Sequence, residues 1–349
     1  MPDYSDPLYM GQTGTPAGGI TINDAYVQAY KAGFEQAFQQ SESKLQPYFE
    51  QETQNEEFQY FDRIGVAEAM DTDDERYGDN PNSSISHERR RIGLKDYELG
   101  KYVDEKDLKR VLTDPMNAYT QALLASGKRK IDDIIIEKFF GTAYVGKSGG
   151  TNRDFVAGAA LEDQADILVG AKSAGDITTA GDYTLATGET EGFSVGADYG
   201  AQGSGLTLAK LRAARRTMLK LHAIDQDEIV NCFVSAKQLD DLLGITEVVS
   251  SDFAVRKSLA EGSVTTFMGF RFIHTERLPL TSGDGTAGDE RRCIIATSKA
   301  LKLSTNTALK GDVWRVPAKK NIPYVYFKLS AEASRMWGEV SGEIRCNEA

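Results

Sequence analysis

The sequence predicts an α+β fold organised around one long helix, and three observations carry that expectation. A stretch of about 26 residues bracketed by Asp114 and Gly141 keeps a helical repeat of apolar residues. Residues 57 to 106 read as a long charged hairpin. From residue 206 onward, strand-like segments alternate with turns and short helices.

Composition bounds what such a fold can do. At 349 residues the chain is long enough for about two lobes or one elaborated domain. Hydrophobic residues at 40% and charged residues at 26% fit a globular protein, since a disordered one would hold far fewer large apolar side chains. With 52 acidic against 40 basic residues, the net charge is -12, which excludes a protein that grips nucleic acid through a broad basic face. Cys232, Cys293 and Cys346 are isolated in sequence and odd in number, so neither a zinc site nor a disulfide framework is signalled. The opening MPDYSDPLYM lacks a basic and then apolar leader, and no apolar run approaches the ~20 residues needed to span a bilayer. The expectation is a soluble, unexported product with reduced cytosolic thiols.

Taken in order, residues 1 to 20 read as a flexible arm, with Pro2, Pro7, Pro16 and the run GTPAGG. Thr21 and Asp24 then make a start like a capping box. Tyr26, Tyr30, Phe34, Phe38, Leu45 and Phe49 follow at helical spacings, so 1–56 is expected to be an arm with an amphipathic helix. That stripe would dock on the chain's own core or on a neighbouring subunit.

In 57–107 the strand-like FQYFDRIGV and ERRRIGLKDYELGKYV flank a polar centre, DTDDERYGDNPNSS. Loops of such length in compact domains tend to be functional or disordered. Asp71, Asp73, Asp74 and Glu75 stand on one side and Arg89, Arg90 and Arg91 on the other, and these seven are the candidate intersubunit contacts. The acidic group is not an EF-hand, because Arg76 takes the place of the turn glycine and Asn82 that of the bidentate glutamate.

The spine helix, within 108–141, has Asp114 as N-cap, Pro115 in its first turn and Gly141 as terminator. It would run roughly 39 Å. Met116, Tyr119, Leu123, Gly127, Ile131 and Ile134 share one face, and Gly127 leaves room for whatever crosses there. Residues 142–205 change texture, with few large side chains and nine acidic against three basic residues, and read as an insertion of loops and short strands. In LTLAKLRAARRTMLKLHAI, Leu208, Leu211, Met218 and Leu221 would face inward, and Arg212, Arg215, Arg216 and Lys220 would form a solvated or paired face.

Two motifs invite a nucleotide and fail on context. GTAYVGKS, Gly141 to Ser148, fits the P-loop pattern, but its first glycine ends a helix rather than a strand. Gly149, Gly150, Thr151 and Asn152 could not sustain the helix that should hold the phosphates. GDGTAG, residues 283 to 288, precedes the strand-like ERRCIIATS and reads as a turn between strands. His87, His222 and His274 lie beside no cysteine or second histidine at ligand spacing, and no G-x-S-x-G elbow occurs. No catalytic, cofactor-binding or metal-binding residue is therefore assigned, and no enzymatic activity is expected.

In this order of elements the chain resembles phage major capsid proteins of the Hong Kong 97 type. The wording VDEKDLKRVLTDPMNAYTQALLASGKRKIDDIIIEKFFGTA is similar to that family's passage from extended loop into spine helix. SAKQLDDLLG followed by VVSSDFAVRKSLAEGSVTTFMGFRFIHTERLP is similar to a stretch of its second half. The resemblance spans roughly 57–141 and 206–349, while 142–205 matches no motif. It implies a peripheral domain on the spine helix and an axial domain from 206–349, which also returns strands to the peripheral domain. It further implies hexamers and pentamers of this chain in an icosahedral virion shell around double-stranded DNA, assembled in the host cytoplasm. Scaffolding, portal and decoration proteins would be further partners. A nanocompartment shell of the same fold is the alternative, and a P-loop enzyme using Gly141–Ser148 a remote one. Some capsid proteins of this type are joined by Lys–Asn bonds, but nothing here identifies such a pair.

Overall fold

The computed structural model describes residues 39–65, 85, 87–103, 116–155, 168–169, 190–196, 199, 204–244, 266–281 and 289–348. The order of elements is β1 (Glu50–Thr53), β2 (Phe58–Ile64), β3 (His87–Gly93), β4 (Asp96–Tyr102), α1 (Met116–Phe140), β5 (Ala143–Val145) and β6 (Thr151–Phe155). Then come β7 (Leu168–Val169), β8 (Thr190–Glu191), β9 (Phe193–Val195), α2 (Leu208–Lys220), β10 (Val230–Val234) and α3 (Ala236–Gly244). The chain closes with β11 (Thr266–Phe267), β12 (Phe270–His274), β13 (Glu290–Ala296), β14 (Leu301–Val316), β15 (Ile322–Arg335) and β16 (Ser341–Asn347).

These strands form three sheets, ordered β1-β14-β15-β4, β11-β12-β10-β13-β16-β9-β7 and β2-β3-β5-β6-β8. The longest hairpin, β14–β15, has arms of 16 and 14 residues, about 50 Å of extended chain. Along β15, Val325, Phe327, Leu329, Ala331 and Ala333 are buried on one face, the period-2 pattern of a sheet covered on one side. Helix α1 covers that sheet. Its 25 residues span about 37 Å, and the end near Ile131, Ile134, Ile135, Ile136 and Phe139 is buried nearly all round.

Gly127 explains how helix and sheet approach. A Cβ there would lie 2.4 Å from Leu309 Cδ1 of β14, so the leucine occupies the space that any other residue would need.

The seven-stranded sheet holds the centre of the core. All five residues of β10 are buried, and Phe233 stacks on Phe49 at 5.7 Å between ring centroids. The cysteines, isolated in sequence, meet here: Cys232, Cys293 and Cys346 sit fully buried on neighbouring strands as free thiols. Burial pushes the Cys232 thiol well above its ordinary value, which leaves it unreactive.

Three expectations change. Leu45 and Phe49 do reach the core, but through a 3-10 turn at Gln46–Tyr48 and the start of β1, not on a helix; the rest of the stripe, Tyr26 to Phe38, lies outside the described residues. The stretch ERRRIGLKDYELGKYV is two strands, because β3 pairs with β2 whereas β4 leaves to pair with β15. Residues 142–205, expected as an insertion of loops and short strands, hold short strands built into the main sheets: β5 and β6 extend the hairpin sheet, and Phe193 and Val195 of β9 are fully buried beside β16. The cap of α1 at Asp114 and Pro115 lies outside the described residues, as does GDGTAG.

Candidate assembly site

The β2–β3 hairpin is paired in register from Phe58 opposite Gly93 to Ile64 opposite His87. Its side chains therefore alternate between two faces. Phe61 and Ile92 turn inward onto Met336, and Arg63 and Arg90 enter beside them. Phe58, Tyr60 and Ile64 turn outward with Arg89 and Arg91, and Tyr144 of β5 extends that outer face.

This alternation breaks up the predicted arginine group. Arg89 donates to Asp62 Oδ1 and Oδ2 at 2.5 and 3.0 Å and covers the Tyr60 ring at 5.7 Å. Arg91 lies over Phe58 and Tyr144, at 5.0 and 5.3 Å, and donates to the Ser148 carbonyl. Arg90, the middle residue, points the other way and is 0% exposed, so the expectation that it faces a neighbouring subunit is corrected. Asp71, Asp73, Asp74 and Glu75 lie outside the described residues.

The inward arginines build a buried ionic joint. Glu191 of β8 accepts from Arg90 Nη1 and Nη2 at 2.9 and 2.6 Å and from Arg335 Nε at 2.7 Å. Arg335 also donates to the carbonyls of Phe139, Gly141 and Arg153, at 2.5, 3.0 and 3.1 Å. It thereby satisfies acceptors left free where α1 ends, and places a cation at the negative end of the helix dipole. Glu88 takes Arg63, Arg90 at 3.3 Å and Arg153 at 2.9 Å, while Arg63 reaches the Met336 carbonyl at 2.8 Å and lies over Trp337. Burial by itself would raise the Glu191 carboxyl, but Arg335 and then Arg90 outweigh it and hold it down at about 2. Five separate pieces of chain meet at this joint: the hairpin, the end of α1, β6, β8 and the end of β15.

A second anchor holds the chain entering the fold. Asp132 of α1, fully buried, accepts from the backbone N–H groups of Lys44 and Leu45 at 3.0 and 3.1 Å, from Ser43 Oγ at 2.5 Å and from Gln40 Nε2 at 2.6 Å. A buried carboxylate is stable when it is hydrogen-bonded this fully.

A third feature lies at the far end of β14–β15. Trp314 contacts Tyr324 and Tyr326 at 5.2 and 5.3 Å between centroids, and Tyr324 contacts Tyr102 of β4 at 4.4 Å. Trp314, Val313, Tyr102 and Leu99 are all more than 40% exposed. Strand β1 covers β14 only from Lys302 to Thr305.

The P-loop look-alike resolves into a tight turn between β5 and β6. The Gly149 N–H donates to the Gly146 carbonyl at 3.1 Å, and both glycines have positive φ, +70° and +94°. A side chain on Gly149 would also meet Arg91 Nε at 2.6 Å. The glycines serve backbone geometry, and no helix follows. His274 pairs with Glu276 on the surface, and among the described residues no group of three potential ligands could hold a metal ion.

Nothing in the local sequence singles out Glu191, Arg335 and Asp132. Glu191 stands in a Gly-rich run, and its partners Arg90 and Arg335 are 101 and 144 residues away.

Comparisons with known proteins agree with this architecture. The capsid protein of cyanophage P-SCSP1u superposes with a TM-score of 0.61 over 95% of this chain and 98% of its own, at 12% identity. That of cyanophage Pam1 gives 0.60 over 97% and 100% at 14% identity, and that of Ralstonia phage GP4 gives 0.59 over 95% and 98% at 12%. No curated protein matches the sequence. The family model for phage capsid proteins matches residues 22 to 348. With that match over nearly its whole length and a Hong Kong 97-type fold, the chain belongs to the phage capsid protein family.

Proposed function

We propose that this chain is the major capsid protein of a tailed bacteriophage, forming hexamers and pentamers of an icosahedral shell around double-stranded DNA, assembled in the host cytoplasm. Family membership makes it a structural protein of the virion shell. The finer reading is carried by one observation: large apolar side chains are left in solvent on the strands that project from the core. Phe58, Tyr60, Ile64 and Tyr144 line the outer face of the hairpin sheet, and at the far end of β14–β15 Tyr102 and Trp314 stand on one face and Leu99 and Val313 on the other. Large apolar side chains exposed in groups on projecting strands fit a protein–protein contact. Copies of the chain are the partner in this reading, with the spine helix, hairpin and long strands as a peripheral domain and the seven-stranded sheet as an axial one.

Arg89 and Arg91 belong to the proposed contact, and Asp71, Asp73, Asp74 and Glu75 remain proposed members of it. Charges at the rim of such an interface set register and partner choice more than affinity. Many modest contacts then add up through multivalency. A scaffolding protein, a portal and decoration proteins complete the proposed set of partners.

Electron microscopy and sedimentation of the purified chain test this reading. Capsomers, sheets or closed shells are the expected result, and a chain that stays monomeric at high concentration refutes it.

A further inference from the structure

Nine described arginines, from Arg63 to Arg345, each have a carboxylate within 4.0 Å. Arg212, Arg215 and Arg216 of α2, like Arg91, Arg129 and Arg271, meet no carboxylate at that distance among the described residues, and they alone of these are gathered on one helix. They stand at i, i+3 and i+4 and so share one face of the helix. Neutral acceptors orient two of them without cancelling their charge. Arg216 Nη2 donates to the Tyr199 hydroxyl at 3.3 Å, and Arg215 donates to the carbonyls of Gln226 and Glu228 at 2.5 and 3.4 Å. Arg215 is also seated in space that only glycine leaves, because a Cβ on Gly269 would lie 2.0 Å from its Nη1.

The three guanidinium groups open onto one cleft of about 510 Å³, whose remaining walls include Tyr199, Ala213 and Met268. That volume falls in the range of small-molecule sites, roughly 300–1,000 Å³. Positive charge at the rim beside an aromatic and a thioether wall is the chemistry that holds a phosphate together with a base.

We propose that this cleft binds a nucleotide unit of nucleic acid, with its phosphate on Arg212 and Arg216 and its base against Tyr199 and Met268. Guanidinium forks match phosphate oxygens in bidentate geometry. A peptide carboxylate would use the forks but leave the apolar walls unfilled. On a chain of net charge -12, such a site makes a local contact on a surface that otherwise repels the polymer. The sequence alone reads as a solvated or paired face in preference to a DNA site; the cleft, and the lack of a carboxylate partner among the described residues, appear only in the fold.

The test does not depend on shell formation. Anisotropy of a short fluorescein-labelled single-stranded DNA is followed on the full chain, kept dilute and unassembled, across a salt series. Binding is expected to weaken with salt. Arg212→Gln/Arg216→Gln should lose at least tenfold in affinity and flatten the log–log salt slope by about 0.7, the value for one phosphate contact on a single strand. Arg212→Lys/Arg216→Lys should keep the slope and lose the fork-dependent part of the affinity, and both variants should keep the parent unfolding midpoint. Binding of AMP without the oligonucleotide upholds the phosphate and base contacts and makes a free nucleotide their source, whereas binding of inorganic phosphate alone overturns the base contact. No binding by any of these probes, an unchanged affinity in the Gln variant, or displacement by polyglutamate as readily as by unlabelled oligonucleotide overturns the proposal.

Discussion

On the inner face of the β2–β3 hairpin, Arg63, Arg90 and Arg335 are enclosed with Glu88 and Glu191, whereas at the far end of β14–β15 Trp314, Tyr324, Tyr326 and Tyr102 touch one another half-buried or exposed. This reverses the usual distribution, in which charge goes outside and aromatic bulk inside. Each inversion has a physical meaning. Buried charges gain little net stability over apolar packing, but each requires a partner at a set position and distance. The joint therefore specifies where five chain segments meet. Exposed aromatic side chains do little for their own subunit and offer rigid contact area to another.

The contrast breaks most sharply at the joint. Arg90→Glu would place a third carboxylate against Glu88 and Glu191, and Glu191→Ala would take from two buried guanidinium groups the carboxylate they share, leaving Arg90 the longer contact to Glu88 at 3.3 Å and Arg335 only backbone carbonyls. Losing one partner of a buried pair costs about 3–5 kcal/mol, a large share of a typical stability of about 5–15 kcal/mol. Urea unfolding of unassembled subunits should show both variants partly or wholly unfolded. Arg89→Glu, one residue away on the solvent face, should leave the unfolding midpoint unchanged and lower shell yield. Equal unfolding in Arg89→Glu and Arg90→Glu would remove the distinction between the two faces.

The joint also sets an acid limit. Because the folded Glu191 carboxyl is depressed to about 2 from an ordinary 4.5, its contribution is present above about pH 4.5 and is lost as pH falls toward 2. That shift corresponds to roughly 3 kcal/mol. Parent stability should fall through this window, and Glu191→Gln should flatten the dependence; a parallel profile for the two proteins would show that other carboxylates govern it.

At the arm anchor the expected effect is smaller. Asp132→Ala leaves several donors without their acceptor, at about 1–3 kcal/mol. Hydrogen exchange should speed up at Lys44 and Leu45 while β10 keeps its protection. Slow exchange at both places would mean that the arm is held by something else.

At the aromatic end the intrinsic effect should be smallest. Trp314→Ala should change subunit stability by under about 1 kcal/mol, yet lower assembly yield in light scattering. A variant that assembles like the parent would leave those rings without a partner.

Part of this was legible in the residues. Helix α1 follows from an apolar repeat and terminator within one stretch, and Gly127 announced a close crossing that Leu309 supplies. The rejection of the P-loop followed from Gly149 and Gly150, which a helix would not tolerate. What escaped was pairing over distance. ERRRIGLKDYELG reads as one strand because both halves have strand propensity, but Leu94 and Lys95 divide it between two sheets. Arg89, Arg90 and Arg91 look equivalent until the pleat assigns each a face.

Local order and bounded elements were thus determined by the sequence, since caps, breakers and periodicity act over a few residues: the spine helix, the glycine turn after it and the strand-rich second half. Tertiary structure decided the rest. Only folding brings Glu191 to Arg90 and Arg335, seats Lys44 and Leu45 on Asp132, gathers three cysteines in one sheet and leaves Arg212 and Arg216 facing a cleft. Burial and electrostatic pairing depend on distance in space, and a linear chain carries that information only through the fold it adopts.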